Sequence, residues 1–174
     1  MERALIAIMN PRASQTESQR VSFDSPEQEV FLQLWRTYDC LKVLEESLFV
    51  QFELSPQQYN VLRLLQMAAP ETVQTMELGR RLISRCPDTT RMLDRLEKRG
   101  LVQRSRLPEN RRVVEVAITE EGQTLLKRME KAVVQMHGQQ LGHLSDSEQQ
   151  RLIRLLQKAR APHEDASCDW LDSL

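Results

Sequence analysis

Apolar residues recur at intervals of three or four positions between Val30 and Phe52, and this spacing predicts one long amphipathic helix. The repeating positions are Val30, Leu34, Tyr38, Leu41, Leu44, Leu48 and Phe52, with Phe31, Trp35 and Phe49 beside them. The resulting apolar surface is wider than a single neighbouring helix would cover. We therefore expect this helix to pack against a second copy of the chain as well as against its own.

Cap residues mark three more helices. Ser55 and Gln58 form a predicted capping box at the start of the second helix. Thr119 caps the fifth helix, and Ser145 with Glu148 forms another capping box at the start of the sixth. The fifth helix is predicted to bury five apolar residues: Leu125, Leu126, Met129, Val133 and Met136.

Two short helices are predicted in between. After a link of residues 71–74, the third helix runs from about Thr75, as its N-cap, to Ile83. The fourth helix occupies about residues 87–99. Cations in its last turn and Gly100 directly behind them form a strong stop signal.

A β-hairpin follows the fourth helix. Residues 101–106 form its first strand and residues 108–111 its turn. In the returning strand, Val114, Val116 and Ile118 alternate with their neighbours, as in a strand with one buried face. The predicted fold class is mainly α with a small β-hairpin wing that has a basic tip.

Composition excludes several classes of enzyme. The chain of 174 residues is 40% hydrophobic and 28% charged, which suits one globular domain. Its five glycines cannot be arranged as a dinucleotide-binding or Walker A loop, and its three histidines and three cysteines show neither HExxH nor CxxC spacing. We expect no enzyme, no cofactor and no metal site.

The same features predict a cytoplasmic location. No apolar run reaches the roughly 20 residues of a membrane span, and the apolar run near the N-terminus is too short for a secretory signal. An odd number of scattered cysteines suits a reducing compartment.

Positive charge is concentrated in one segment. Residues 80–112 contain eleven basic residues, ten of them arginine, against four acidic residues, a net charge of +7. The rest of the chain has thirteen basic and twenty-one acidic residues, a net charge of −8. A cationic segment on an acidic body is typical of nucleic-acid binding. The alternative is a solvated charged face with internal ion pairs.

The basic segment coincides with the fourth helix and the hairpin. Two short helices joined by a tight turn and followed by a basic hairpin predict a winged helix-turn-helix. In such a lobe the second short helix, the recognition helix, enters the major groove of DNA, and the hairpin tip reaches the adjacent minor groove. An aromatic content of 5% argues against a platform that stacks single-stranded bases.

The stretch from Leu54 to Gly122 closely resembles the MarR (multiple antibiotic resistance regulator) family. The segments that carry the resemblance are LSPQQYNVLRLL, ELGRRL, TTRMLDRLEKRGLVQR, NRRVVEVAIT and EEG. The resemblance implies a homodimer in which the first, fifth and sixth helices of both chains interlock above two DNA-reading lobes. The predicted organisation is an N-terminal arm (1–24), a dimerisation helix (25–53), a DNA-binding lobe (54–118) with its wing at about 101–118, two dimerisation helices (119–161) and a C-terminal tail (162–174).

Five residues of the recognition helix are candidate DNA contacts: Asp88, Thr89, Thr90, Arg91 and Arg95. Arg91 has the fork geometry to bind guanine, and threonine methyl groups suit thymine. Arg95 lies one turn further on the same face, whereas Met92 and Leu96 are expected in the core. For Asp88, plain N-capping of the helix is an equal alternative.

Asn110, Arg111 and Arg112 are the candidate DNA contacts of the wing. The family pattern there is Asp, any residue, Arg, which implies that Arg112 enters the minor groove. Asn110 replaces the Asp of that pattern, so the carboxylate that would orient the arginine is missing. Asn110 either holds the arginine by a neutral hydrogen bond or serves the turn, and we favour the turn.

The resemblance also implies a small aromatic or phenolic effector, for which Trp35, Arg36, Tyr38 and Tyr59 are candidate pocket residues. Core packing of the aromatic rings and a solvated arginine are the alternative. Another branch of the family senses organic hydroperoxides through a cysteine near the start of the first helix. Cys40 lies about two turns beyond that position, and Cys86 precedes the recognition helix, where its thiol pKa is open to lowering.

The predicted function is therefore sequence-specific regulation of transcription from double-stranded DNA. We expect a homodimer that binds a pseudo-palindromic operator and represses transcription until an effector changes the spacing of its lobes. The alternatives are a winged-helix module that docks an acidic protein and a thiol-based redox-sensing regulator.

Overall fold

The computed structural model of the protein describes residues 23–83, 88–106, 110 and 113–164. In chain order the helices and strands are α1 (Pro26–Phe49), α2 (Pro56–Ala68), β1 (Val73–Gln74), α3 (Thr75–Arg81), α4 (Thr89–Lys98), β2 (Val102–Arg106), β3 (Val114–Ile118), α5 (Glu120–Leu141) and α6 (Asp146–Arg160). Single 3-10 turns, Val50–Phe52 and Ala161–His163, follow α1 and α6. The prediction of a mainly α fold with a small β element is confirmed.

The predicted helix caps hold α2, α5 and α6 at their starts. The Gln58 backbone N–H donates to the Ser55 hydroxyl at 3.2 Å, and the Ser55 N–H donates to the Gln58 side chain at 2.9 Å. The Thr119 hydroxyl accepts from the Gly122 N–H at 3.1 Å. At α6, the Ser145 N–H donates to the Glu148 carboxylate at 2.8 Å. These caps satisfy N–H groups that a helix leaves unpaired in its first turn.

The first helix begins as predicted but ends earlier. It starts at Pro26, because a proline suits a first turn and the Ser25 hydroxyl accepts from the Gln28 N–H at 3.2 Å. It ends at Phe49, and its continuation Val50–Phe52 tightens into a 3-10 turn closed by Glu53 in the left-handed region, at φ 53°.

Residues 71–74 were predicted to be a link, but they contain the short strand β1 in addition to the two predicted strands of the hairpin. Val73 pairs with Val116 and Gln74 with Glu115, and the sheet has the antiparallel order β1-β3-β2. The prediction of Thr75 as an N-cap is wrong for the same reason: Gln74 is the N-cap residue, and the Thr75 hydroxyl instead donates to the Val114 carbonyl at 3.1 Å. This helix also ends at Arg81 rather than Ile83.

The chain divides into two units, residues 1–37 and 38–174, and the buried core lies in the second. Its fully buried side chains come from α2, α3, α4, α5 and the sheet: Val61, Leu62, Leu65, Leu78, Leu93, Leu96, Val102, Val116 and Met129. Gly122 brings α5 close to this core. A Cβ there would lie 2.3 Å from the Leu101 carbonyl oxygen.

Three helices keep large apolar side chains outside this core. On α1, α5 and α6 the exposed residues include Val30, Phe31, Trp35, Tyr38, Val134, Leu141, Ile153, Leu155 and Leu156. Those on α1 belong to the predicted apolar repeat or lie beside it, so the first helix keeps the wide apolar surface that the repeat predicted. Among the described residues, no helix combines the length and apolar character needed to cross a membrane.

Candidate nucleic-acid interface

The recognition helix α4 is fixed by its apolar face. Met92, Leu93 and Leu96 are buried in the core, which confirms the prediction for Met92 and Leu96. This anchoring determines which residues remain outside: Thr90, Arg91 and Arg95 are exposed, and Thr89 is half-buried. The exposed face of α4 therefore presents hydroxyl and guanidinium groups at helical spacing, which are groups that bind base edges and phosphates.

Asp88 organises the start of α4. Its carboxylate accepts from the Arg91 backbone N–H at 3.0 Å, the geometry of an N-cap. The second carboxylate oxygen lies 3.0 Å from the Arg91 Nε. The Arg91 side chain is nevertheless 79% exposed. Asp88 thus caps the helix and orients the arginine, while the guanidinium stays open to solvent.

The end of α4 follows the predicted stop signal. Gly100 adopts φ 69°, and its N–H donates to the Glu97 carbonyl at 2.8 Å. The next N–H, of Leu101, donates to the Leu96 carbonyl at 3.0 Å, which completes the helix C-terminus. Arg99 turns away from the exposed face, because its guanidinium donates to the carbonyls of Glu53 and Phe52 at the end of the first helix.

The wing consists of β2 and β3, which pair from Val102 opposite Ile118 to Arg106 opposite Val114. At its tip, the Asn110 carbonyl accepts from the Val113 N–H at 2.9 Å. This hydrogen bond joins two described residues, and the role of the Asn110 side chain stays a prediction. Arg111 and Arg112 lie outside the described residues.

Part of the basic segment is engaged in ion pairs within the chain. Glu77 pairs with Arg81 at 2.9 Å and with Arg80 at 3.9 Å. The alternative of internal ion pairs therefore holds for these residues, whereas Arg95 and Arg106 are exposed to solvent.

Arg104 forms the most extensive of these pairs, with Asp94 and Glu97 of α4. Its Nε donates to a Glu97 carboxylate oxygen at 2.9 Å, and its Nη2 lies 2.7 Å from an Asp94 oxygen and donates also to Glu97. These hydrogen bonds lower the pKa of the Glu97 carboxyl and raise that of Arg104. The sequence analysis did not single out these three residues. Two acids three positions apart on a helix that is predicted to face DNA are a signal for such a partner, because they oppose phosphate binding unless a cation compensates them.

A cavity of about 280 Å³ lies beside this ion pair, between the wing and the two short helices. Its lining consists of Gln74, Thr75, Met76, Thr90, Leu93, Arg104, Val113 and Val114.

The candidate effector residues lie in different surroundings. Tyr59 stacks on Phe49 with ring centroids 4.7 Å apart, as the core-packing alternative predicts, and burial raises the pKa of its hydroxyl. Tyr59 also borders a groove of about 770 Å³ between α2 and α5. Tyr38 is exposed, and so are Trp35 and Arg36, which belong to the first unit; Trp35 lies 6.1 Å from Phe31 between ring centroids.

Cys40 is exposed on α1, while Cys86 and Cys168 lie outside the described residues. Within the described part of the chain, no group of three or more His, Cys, Asp or Glu residues is placed to hold a metal ion.

Comparison with known proteins supports the nucleic-acid interpretation. Residues 54–114 match the model of the MarR family. The chain is 30% identical over 144 residues to YkoM of Bacillus subtilis, an uncharacterized HTH-type transcriptional regulator, and the match covers 80% of this chain and 92% of that protein.

Two solved structures are also similar. A MarR transcription factor from Planctomyces limnophilus is 57% identical, with a TM-score of 0.63, and the match covers 78% of this chain and 98% of that one. A mutant of MarR from Escherichia coli, complexed with operator DNA, is 26% identical, with a TM-score of 0.68 and coverage of 75% and 93%.

Proposed function

This chain belongs to the MarR family of DNA-binding transcriptional regulators, and we propose that it is a homodimeric repressor of a pseudo-palindromic operator. The observation that carries the proposal is the exposed face of α4. Burial of Met92, Leu93 and Leu96 leaves Arg91, near the start of α4, and Arg95, one turn further on, facing solvent. The similarity to a MarR protein complexed with operator DNA supports the same assignment.

Each residue of the recognition helix has a proposed role. Arg91 reads guanine through its two-pronged guanidinium, and Thr90 contacts a thymine methyl group. Asp88 caps α4 and orients Arg91. Thr89 and Arg95 contact the phosphate backbone or base edges on the same face.

The wing supplies the second proposed contact. Arg112 enters the minor groove, Arg111 adds positive charge next to the phosphates, and Asn110 forms the turn that presents them. The minor groove distinguishes base pairs poorly, so the wing contributes more to affinity than to sequence preference.

The dimer is proposed from the apolar residues that the chain leaves exposed on α1, α5 and α6. Residues 25–53 and 119–161 form the dimerisation region, and residues 54–118 form the DNA-binding lobe. Two lobes related by a two-fold axis match an operator with two similar half-sites.

A small aromatic or phenolic effector is proposed to relieve repression, with Tyr59 as the residue that meets it, and Trp35, Arg36 and Tyr38 stay candidates from the sequence. The groove between α2 and α5 that Tyr59 borders supports this assignment for Tyr59. Proteins of this family are transcriptional regulators rather than enzymes, and we propose that this chain is likewise a regulator without enzymatic activity. We also propose a cytoplasmic location, where the DNA is accessible.

A salt-titrated binding assay tests the proposal. The probes are a duplex from the region upstream of the chain's own coding sequence and a scrambled duplex. Arg91→Ala should cost about 1–3 kcal/mol on the first duplex, because a bidentate base contact is lost, and change binding to the scrambled duplex little. Arg151→Ala, a charge removed from exposed α6, is the matched control and should leave both affinities unchanged.

The competing function predicts a different result. Lowering the salt concentration should tighten binding to DNA. If it tightens binding of the wild type to neither duplex, while an acidic protein binds to the basic face, the interaction-module alternative replaces the proposal.

A further inference from the structure

Arg104 differs in its surroundings from the arginines that we assign to DNA. Its side chain is 23% exposed, against 79% for Arg91. Its Nε and Nη2 atoms both point to carboxylates of α4, those of Asp94 and Glu97. A guanidinium held in this way would have to leave two charge-assisted partners in order to bind a phosphate.

The three residues Asp94, Glu97 and Arg104, here called the α4–β2 ion cluster, connect the recognition helix to an edge strand. The sheet order β1-β3-β2 leaves β2 with one strand neighbour, and Arg104 lies opposite Val116 in that pairing. The ion cluster is a polar side-chain link between β2 and α4. A second link, from the Thr75 hydroxyl to the Val114 carbonyl, connects the start of α3 to β3.

We infer that Arg104 is a positioning residue for DNA binding, which holds the wing at a defined distance from the recognition helix and does not itself contact DNA. The inference rests on the proposed function, because this distance matters when the helix and the wing enter neighbouring grooves of one duplex.

The charge of the cluster makes the inference testable. Two carboxylates and one guanidinium leave one net negative charge on a surface that faces phosphates. If charge alone mattered, the double variant Asp94→Asn with Glu97→Gln would bind both duplexes more tightly by a similar factor, because it removes two negative charges, and the ratio of the two affinities would not change. A positioning role predicts that this ratio falls by about tenfold, the scale of one misread base pair.

The experiment uses the full chain and the upstream and scrambled duplexes, with affinities measured at several salt concentrations. Arg104→Gln should reduce the upstream-to-scrambled affinity ratio by about tenfold while the slope of log affinity against log salt stays as in the wild type. The control is Arg106→Gln, an exposed arginine on the same strand, which should keep the ratio. If Arg104→Gln keeps the ratio and lowers the slope by about one phosphate equivalent, Arg104 contacts DNA directly and the inference is wrong.

Charge reversal separates positioning from a general loss of structure. Arg104→Glu should reduce the affinity ratio further, and adding Glu97→Arg should recover most of the loss, since the ion pair is re-formed in reverse with an unchanged net charge. Circular dichroism shows whether each variant is folded. If the variant that combines Arg104→Glu with Glu97→Arg is folded but its affinity ratio is no higher than that of Arg104→Glu alone, the inference is wrong.

Hydrogen exchange of the free protein gives a readout without DNA. Amide exchange in β2 should become faster in Arg104→Gln and not in Arg106→Gln, because the cluster restrains the strand. If the wild type prefers neither duplex, the proposed function fails. The exchange rates then still decide whether Arg104 holds the wing, and equal rates in the wild type and Arg104→Gln overturn the inference.

Discussion

The lobe around the recognition helix and the helices α1 and α6 are built from the same apolar residue types, yet they differ in burial. Leu62, Leu78 and Leu96 in the lobe are 0% exposed, whereas Trp35 is 62% and Leu155 is 54% exposed. Burial of apolar surface stabilises a protein by about 25 cal/mol per Å², and surface left in water does not contribute this free energy. A large exposed apolar surface therefore indicates a missing partner. The lobe completes its core within one chain, and the long helices need a second chain.

The largest effect is expected from removing residues 144–174, which include α6. The truncated chain loses part of the proposed dimer contact and should aggregate or unfold, because the apolar faces of α1 and α5 remain uncovered. Analytical ultracentrifugation should show the wild type at twice the chain mass of 20.3 kDa. Removal of residues 165–174 alone is the control and should leave a dimer. A wild-type chain that sediments as a folded monomer would contradict the proposed dimer.

A pair of leucine substitutions tests the comparison directly. Leu96→Ala should lower the free energy of unfolding by about 2–5 kcal/mol, since it opens a cavity in the lobe core. Leu155→Ala removes the same atoms from an exposed face, so it should weaken association of the dimer more than Leu96→Ala does. Ultracentrifugation of a dilution series measures the dissociation constant of the dimer for each variant. A dissociation constant no higher for Leu155→Ala than for Leu96→Ala would show that the two regions are not distinct.

Two glycines of α5 sharpen the same comparison. Gly122→Ala should destabilise by about 1–3 kcal/mol, because its Cβ would lie 2.3 Å from the Leu101 carbonyl oxygen. Gly138→Ala is the matched control: in the described chain its Cβ would have no neighbour within 4 Å, so alanine should stabilise the helix by about 0.5–1 kcal/mol. Denaturant unfolding measures both. A loss of stability in Gly138→Ala would place that turn of α5 against the second chain.

The smallest effect is a pH dependence of opposite sign at two glutamates. The hydrogen bond from Arg104 lowers the pKa of Glu97. Ionised Glu97 therefore stabilises the fold above the ordinary pKa of 4.5, and this contribution to the free energy of unfolding is lost as the pH falls through the folded pKa. Burial raises the pKa of Glu45, so its ionisation costs stability as the pH rises from 4.5 through the folded value.

Matched amide substitutions measure this contrast. At neutral pH Glu97→Gln should lower the melting temperature and Glu45→Gln should raise it, and both differences should shrink as the pH falls through the folded pKa of each carboxyl. Each effect should be about 1 kcal/mol or less, as for other half-exposed charges. Shifts of the same sign at the two positions would contradict the assignment of their causes.

Much of the fold follows from local signals. The capping box of Ser55 and Gln58, the Thr119 cap and the Gly100 stop involve partners within five residues, so they closely predicted the starts of α2 and α5 and the end of α4. The sequence also predicted the inward residues Met92 and Leu96 and the wide apolar surface of the first helix. The DNA and effector roles of the candidate residues remain predictions, and Arg111, Arg112 and Cys86 lie outside the described residues.

By itself, the sequence determined the order of helices, the winged helix-turn-helix and the basic segment, because periodicity, caps and charge act over a few neighbouring residues. The family was indicated by the resemblance of whole segments to known sequences. The tertiary structure decided which short segments pair across the chain. Strand β1 has two residues and forms because it pairs with the edge of β3. The Thr75 hydroxyl donates to the Val114 carbonyl, 39 residues away in the sequence. The partners of Arg104 were decided in the same way, since the turn at Gly100 folds β2 back toward the carboxylates of α4. Contacts of this kind depend on where the backbone returns, which no local pattern of side chains specifies.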